Sequence, residues 1–303
     1  LERLTNPTYL ADLTTARVAM FANELRKPYT ITRGIGKKQT KRIVQRTEAS
    51  VAKHLRHLKA VARWAHRQGL LSKLPTFDMP KKASGATRMK GRPITGEEFD
   101  RMLEVVPKVV GEVAAESWRL LLQGLWASGL RLGEALAMRW ERKPGSPSVI
   151  LNGKKSVLAF DADSQKSGKV ELVPLAPEAV QLLEPLQRSS GYVFAVPRDV
   201  RKVSKVITAI GKQAMVVVDQ ERGKFASAHD LRRSFGFRWS RRVNYQLLKQ
   251  LMRHASISTT LTYYANQGAE ASAAELWSVL GNTLGNTPTQ PVTSRAVETW
   301  NFS

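Results

Sequence analysis

Residues 229 to 263 hold the densest set of groups able to act on a phosphate. The run opens with His229-Asp230-Leu231-Arg232-Arg233 and closes with His254 and then Tyr263, which Tyr264 follows directly. Two histidines, an arginine three residues after the first and a tyrosine nine after the second combine proton carriers, an anion clamp and a nucleophile. Two outlying pieces complete the set: Ser128-Gly129-Leu130-Arg131-Leu132-Gly133-Glu134, and Lys166 within Gln165-Lys166-Ser167-Gly168-Lys169. Taken singly, each has an ordinary reading. Arg131 and Glu134 form an i,i+3 pair that suits a surface salt bridge. Lys166 sits in a polar turn with Lys169 as a near rival, His229 and His254 fit partly buried histidines, Arg232 fits a solvated basic face, and Tyr263 and Tyr264 fit core aromatics. Weight comes only from their joint order.

The elements that must position these groups follow from periodicity and punctuation. Leu10, Leu13, Val18, Phe21 and Leu25 give residues 1 to 27 a helical pattern. Residues 28 to 46, with Gly34 and Gly36 ahead of Lys37, Lys38, Lys41, Arg42 and Arg46, read as a loop or a frayed helix start. A helix over about 47–68 carries an apolar stripe of Val51, Leu55, Leu58, Ala62 and Ala65, and Gly69 stops it. Lys53, Arg56, Lys59, Arg63 and Arg67 share another face with no acidic residue among them, a repulsion that a phosphate backbone would relieve. Prolines and glycines with Lys81, Lys82 and Arg88 make a basic linker.

Thr95-Gly96-Glu97-Glu98 is a capping box, with Ile94 and Phe99 as its hydrophobic staple. Helices are predicted over about 95–106, 113–127 and 131–140, with Gly129 ending the second. The period then changes. Val149–Leu151, Asn152-Gly153 and Val157–Phe160 predict a hairpin with a type I′ signal, and Gln165–Lys169 a second turn leading into Val170–Val173. A helix over about 177–188, a short strand at Tyr192–Phe194 and helices over about 198–213, 229–242, 244–253 and 269–280 complete the pattern, and residues 281 to 303 have the composition of a flexible tail. The fold class expected is mainly α with a small antiparallel β-sheet.

Charge narrows the partner. The 303 residues hold 48 Lys and Arg against 25 Asp and Glu, a net +23. Such a surplus draws a polyanion, and nucleic acid is the obvious one. No apolar run of about 18 residues is present, so a membrane partner is not expected. Cysteine is absent, which removes disulfides and thiolate metal sites and fits a reducing cytoplasm. The chain starts at Leu1 rather than Met, which leaves room for a segment upstream.

Four boxes occur in order: Ser-Gly-Leu-Arg-x-x-Glu, the Gln-Lys-Ser-Gly-Lys hairpin leading into Val-Pro-Leu, His-x-Leu-Arg, and His-x8-Tyr. Together they resemble the tyrosine recombinases, also called the phage integrase family. The resemblance spans nearly the whole chain. It implies a helical core-binding domain at 1–75, a basic linker at 76–93, an α+β catalytic domain at 94–283 and a flexible tail at 284–303, the two domains closing as a C-clamp on DNA.

By that resemblance Tyr263 attacks a DNA phosphodiester, leaving a 3′-phosphotyrosine and a free 5′-hydroxyl, with no metal, ATP or other cofactor. Arg131 and Arg232 match the arginines that clamp the non-bridging oxygens, and Lys166 the lysine that protonates the leaving oxygen. His229 matches the acid/base residue and His254 a hydrogen-bond donor to the phosphate. Glu134 would orient Arg131 or His229. The DNA contacts expected are Lys53, Arg56, Lys59, Arg63, Arg67, Lys81, Lys82 and Arg88. The partners implied are double-stranded recombination sites and a homo-tetramer on two duplexes, from a protein that is a monomer or weak dimer when free. Leu276, Trp277 and Leu280 are candidates for the contact between protomers. Accessory DNA-bending proteins are left open, no membrane is involved, and the location implied is cytoplasmic and nucleoid-associated. Mobile-element integration or excision is the role implied.

The chain departs from the family pattern in three places. Ser128 stands where threonine is frequent, Arg233 where histidine is common, and Met252-Arg253-His254 where Leu-Gly-His is frequent. Arg253 thus adds a cation and questions the local turn. Among rival functions, a metal-dependent transposase or nuclease would have to use scattered acids such as Asp161, Asp163, Asp219 and Glu221, which form no motif. A pure DNA-binding module would be expected to lack the tyrosine, an arginine or the lysine. Hairpin telomere resolvases and type IB topoisomerases share the chemistry.

Overall fold

The computed structural model describes residues 5, 9–33, 39–80, 91–162, 170–254 and 256–258. Lys166, Tyr263, Tyr264, Lys81, Lys82, Arg88, the helix expected at 269–280 and the tail lie outside the described residues. The chain divides into two compact units, Leu1–Ala86 and Thr87–Ser303.

In the first unit a single 3-10 turn, Leu10–Asp12, precedes α1, Thr15–Arg26, which Thr14 caps by accepting from the Arg17 N–H at 3.2 Å. The long helix α2, Glu48–Arg67, is capped in the same way by Thr47. Their apolar stripes meet, and Val18, Phe21, Leu25, Val51 and Leu55 are buried between them. The stretch between the helices corrects the sequence expectation. It is neither loop nor helix start but an antiparallel ribbon, β1 (Tyr29–Arg33) and β2 (Thr40–Val44), in register from Tyr29↔Val44 to Arg33↔Thr40. Tyr29-Thr30-Ile31-Thr32 alternates apolar and polar β-formers, but over only four residues, and in β2 Ile43 and Val44 are adjacent and follow cations, so the strand pattern is short and incomplete.

The second unit opens on α3, Gly96–Glu104, whose capping box is complete. Thr95 Oγ1 accepts from the Glu98 N–H at 3.2 Å, and Glu98 Oε2 accepts from the Thr95 N–H at 2.9 Å. After the short α4, Val106–Val110, comes α5, Glu112–Ser128, the core helix; Leu121, Leu122 and Leu125 are fully buried. Each such side chain contributes about 1.5–3 kcal/mol of burial.

Gly129 ends α5 at φ 63°, and a Cβ there would lie 2.3 Å from the Phe235 ring, so both backbone and packing demand glycine. The next helix, α6, spans only Leu132–Ala137 and stops short of Trp140. Arg139 is diverted into bridges with Ser148 and Tyr192, which ends the helix early.

A three-stranded antiparallel sheet follows: β3 (Ser148–Ile150), β4 (Val157–Phe160) and β5 (Glu171–Pro174), in that order. The β3–β4 register pairs Ile150 with Val157, so residues 151–156 form a longer loop than the two-residue turn that Asn152-Gly153 suggested. Ser156 Oγ accepts from the Asn152 N–H at 2.9 Å and holds that loop. Helix α7 is Pro177–Leu183; the expected strand at Tyr192–Phe194 reduces to the Arg139↔Tyr192 bridge. Helix α8, Val200–Gln213, leads into a small hairpin that the sequence did not announce, β6 (Val217–Asp219) and β7 (Lys224–Phe225). The unit's described part closes with α9, Ala228–Ser240, and α10, Tyr245–Met252. The chain is thus mainly α with small antiparallel sheets. No helix among the described residues is long and apolar enough to cross a membrane.

Candidate active site

Two arginines predicted from separate boxes meet the same turn. Arg232, in the middle of α9, is buried, with 4% of its surface exposed. Its guanidinium donates to the carbonyls of Gly129 and Met252. Gly129 caps α5 and Met252 is the last residue of α10, so both acceptors belong to helix C-termini. Carbonyls there lack intrahelical partners and carry the negative end of the helix dipole, which makes a guanidinium their natural partner.

Arg131 is the N-cap of α6 and is half exposed. Its Nη2 donates to the carbonyl of Arg253 at 3.1 Å. Its Nη1 donates to Glu134 Oε1 at 2.8 Å, and its own N–H donates to Glu134 Oε2 at 3.0 Å. Consecutive carbonyls, Met252 and Arg253, therefore receive the two arginines immediately before His254.

The departure at Arg253 is resolved by the backbone. Arg253 adopts the left-handed conformation at φ 48°, ψ 51°, where glycine is the usual residue. Its N–H donates to the Gln250 carbonyl at 3.0 Å, and the His254 N–H donates to the Lys249 carbonyl at 3.1 Å, closing α10. The turn costs a non-glycine residue about 1–2 kcal/mol. The side chain offsets this. It is almost fully covered, pairs with Glu134 Oε1 at 2.9 Å and Glu171 Oε2 at 3.2 Å, and lies 3.4 Å above the Phe160 ring. Glu171 on β5 and Phe160 on β4 are register partners, so Arg253 ties the sheet to the turn. Burial works to raise the Glu134 carboxyl, but Arg253 and Arg131 outweigh it and hold it below the usual carboxylate range.

The histidines share this field. His229, in the first turn of α9, is exposed, yet the protein beneath it still strips water from the ring; this desolvation, then Arg233, Arg232 and Arg131, lower its pKa against the pull of Asp230. His254 is half-buried. Desolvation first, then Arg232, Arg131 and His229, push it down to about 4, so it is neutral at pH 7. That mutual influence gathers Arg131, His229, Arg232 and His254 around one spot.

Asp230, fully buried, holds the start of α9 in place. It accepts from the Ser227 N–H at 3.0 Å and hydroxyl at 2.6 Å, and pairs with Arg233. Arg233, at a position where the family often has histidine, thus acts on the helix start. Of the acids weighed for metal binding, Asp219 pairs with Arg222 at 3.4 Å and Lys224 at 3.8 Å. Arg253 stood out in the sequence as an extra cation; Glu171, Phe160 and the Gly129 carbonyl gave no signal there, because their roles depend on distant partners.

In the first unit Lys53, Arg56, Arg63 and Arg67 are exposed on α2. Lys59 is half-buried, its Nζ 6.0 Å from the Phe77 ring centroid. Trp64, 52% exposed, lies on the same helix among these cations, an aromatic that the charge pattern alone passed over.

The sequence profile of the phage integrase family matches residues 92–270, which contain every box described above. The chain belongs to the phage integrase family. It is a tyrosine-type site-specific DNA recombinase by that membership. Solved structures agree in fold. A lambda integrase(75-356) dimer bound to a COC′ core site superposes with TM-score 0.59 at 16% identity, covering 88% of this chain and 85% of that one. XerH site-specific recombinase bound to difH gives TM-score 0.55 at 17% identity, covering 91% and 74%. The Tn1549 transposon integrase with a circular-intermediate DNA gives 0.53 at 15%, covering 89% and 86%. Comparison with curated protein sequences returned no match.

Proposed function

We propose that this phage integrase family member cuts and rejoins duplex DNA through a covalent 3′-phosphotyrosine at Tyr263, using neither metal nor ATP, in the integration or excision of a mobile element. The observation that carries this reading is the convergence of Arg131 and Arg232 on adjacent carbonyls beside His254, with His229 in the same field. Such a cluster is built to hold a phosphate whose charge grows on its non-bridging oxygens.

In the step proposed, the Tyr263 hydroxyl oxygen forms a bond to phosphorus as the bond from phosphorus to the 5′-oxygen breaks. The phenol proton passes to His229. Lys166 gives a proton to the departing 5′-oxygen, which leaves as a hydroxyl. The diester count is unchanged, so attack by a 5′-hydroxyl reverses the step with no external energy source. Arg131 and Arg232 clamp the oxygens, and neutral His254 donates a hydrogen bond to one of them. Glu134 holds Arg131. The basic face of α2 and the linker cations Lys81, Lys82 and Arg88 contact the phosphate backbone. Solved structures similar in fold to this chain include an integrase, a recombinase and a transposon integrase, each described with DNA, which supports duplex DNA as the partner and a mobile element as the setting. Four protomers on two duplexes would complete the exchange.

A plasmid carrying two attachment sites, incubated in EDTA and resolved by size, tests this reading. Recombinant circles are expected. Relaxed circles alone would indicate a type IB topoisomerase, hairpin ends a telomere resolvase, and unchanged plasmid would overturn the reading.

A further inference from the structure

The first unit keeps an element that its core does not use. The buried set of that unit comes from Leu13, α1, α2 and the segment after them; among the described residues none of the β1–β2 ribbon belongs to it. Of the ribbon's described residues only Ile31 and Val44 are half-buried and the rest are exposed, and a two-stranded ribbon with so little apolar cover is marginal in water, so it calls for an outside partner.

The ribbon's chemistry says which partner. No acidic residue occurs between Glu24 and Glu48, while Arg33, Lys37, Lys38, Lys41, Arg42 and Arg46 fall in that interval. The register pairs Thr32 with Lys41 and Ile31 with Arg42, and side chains of adjacent strand residues point to opposite faces. Lys41 and Arg42 therefore lie on opposite faces, and both are exposed. Ile43, beside them, is 75% exposed. The stem is fixed. Arg46 stacks over the Tyr29 ring at 4.1 Å and donates to the Leu25 carbonyl at 3.3 Å, and Gln45 Nε2 donates to the Arg26 carbonyl at 3.0 Å. The stem also adjoins α2. Desolvation first, then Arg46, His57 and Lys53, lower His54, so ribbon base and basic helix face share one positive field.

We propose that the β1–β2 ribbon is a second DNA-binding element of the first unit, seated in the major groove with Lys41 and Arg42 each facing one wall of phosphates. The width of the major groove admits a two-stranded ribbon, and the absence of acids removes the charge that would oppose entry. This rests on the reading that the protein's substrate is duplex DNA.

The test is the salt dependence of binding by the full chain, wild type against Lys41→Gln/Arg42→Gln, on a duplex carrying the attachment site. Both positions are solvent-exposed and outside the core, so the fold is not at risk. Each lost phosphate contact lowers the log–log salt slope by about 0.9, so the double variant should drop it by roughly 2. The charge-keeping swap Lys41→Arg/Arg42→Lys should restore the wild-type slope. An unchanged slope in the glutamine variant, with wild type still binding and forming adducts, would overturn the ribbon's role alone. Wild type that neither binds duplex nor forms adducts would overturn the substrate reading and this inference with it.

Discussion

Arg131 donates from Nη2 to the main-chain oxygen of Arg253 at 3.1 Å, so the site's exposed arginine is held by the one described residue of α10's end that stands in left-handed backbone. The same Arg253 pairs through its side chain with Glu134, which in turn grips Arg131. Backbone and side chain of one residue thus fix the guanidinium from two directions.

Substitutions at Arg253 separate these effects. Arg253→Gly loses the ion pairs and the Phe160 contact but relaxes the turn. Arg253→Ala loses the same contacts and keeps the strain. The alanine variant should be less stable than the glycine variant by about 1 kcal/mol, read from urea unfolding midpoints. Both should form DNA adducts more slowly than wild type. Equal midpoints would contradict the strain argument.

Arg131 and Arg232 should fail differently. Arg131 is half exposed, so Arg131→Ala should leave stability nearly unchanged while slowing strand cleavage by about 10²–10³-fold. Arg232 is buried and bonds two helix-end carbonyls, so Arg232→Ala should also cost about 1–3 kcal/mol in denaturant unfolding. Rapid-quench cleavage kinetics beside unfolding curves check the pair; equal stability losses would count against the geometry.

The histidine field sets a pH dependence. His254 sits at about 4 in the folded chain against an ordinary 6.5, so between those values the unfolded chain binds the extra proton. Stability should therefore fall as pH drops from about 6.5 toward 4, and His254→Gln should flatten that fall. His229, also lowered, adds in the same direction. Glu134 is lowered too, and its share is lost only below the ordinary carboxylate range, as the carboxylate takes up its proton. A phosphate bound between the arginines would cancel much of their charge, so the His254 ring signal should titrate at higher pH with DNA than without it. An unchanged NMR titration would contradict the phosphate site.

Local spacing made part of this legible in the sequence. The Thr95/Glu98 box, the Arg131–Glu134 pair and the shared helix of His229 and Arg232 depend on residues three apart, and the structure places them so. Elements decided by distant partners were not legible. The end of α6 depends on Arg139 pairing with Ser148 and Tyr192, and Arg253's left-handed turn depends on Glu171, 82 residues away. The β1–β2 ribbon was hidden because its apolar alternation is confined to the short run Tyr29–Thr32, while Ile43 and Val44 stand adjacent beside cations in β2. Tyr263 and Lys166 fall outside the described residues, and their proposed roles come from motif order.

The most direct measurement is covalent trapping on a nicked attachment-site duplex, whose short 5′ fragment is lost after cleavage so that rejoining cannot occur. Wild type, Tyr263→Phe and Tyr264→Phe would be run on denaturing gels with EDTA present. The account predicts a protein–DNA adduct for wild type and Tyr264→Phe and none for Tyr263→Phe. An adduct that persists in Tyr263→Phe, or that needs a divalent metal, would contradict it.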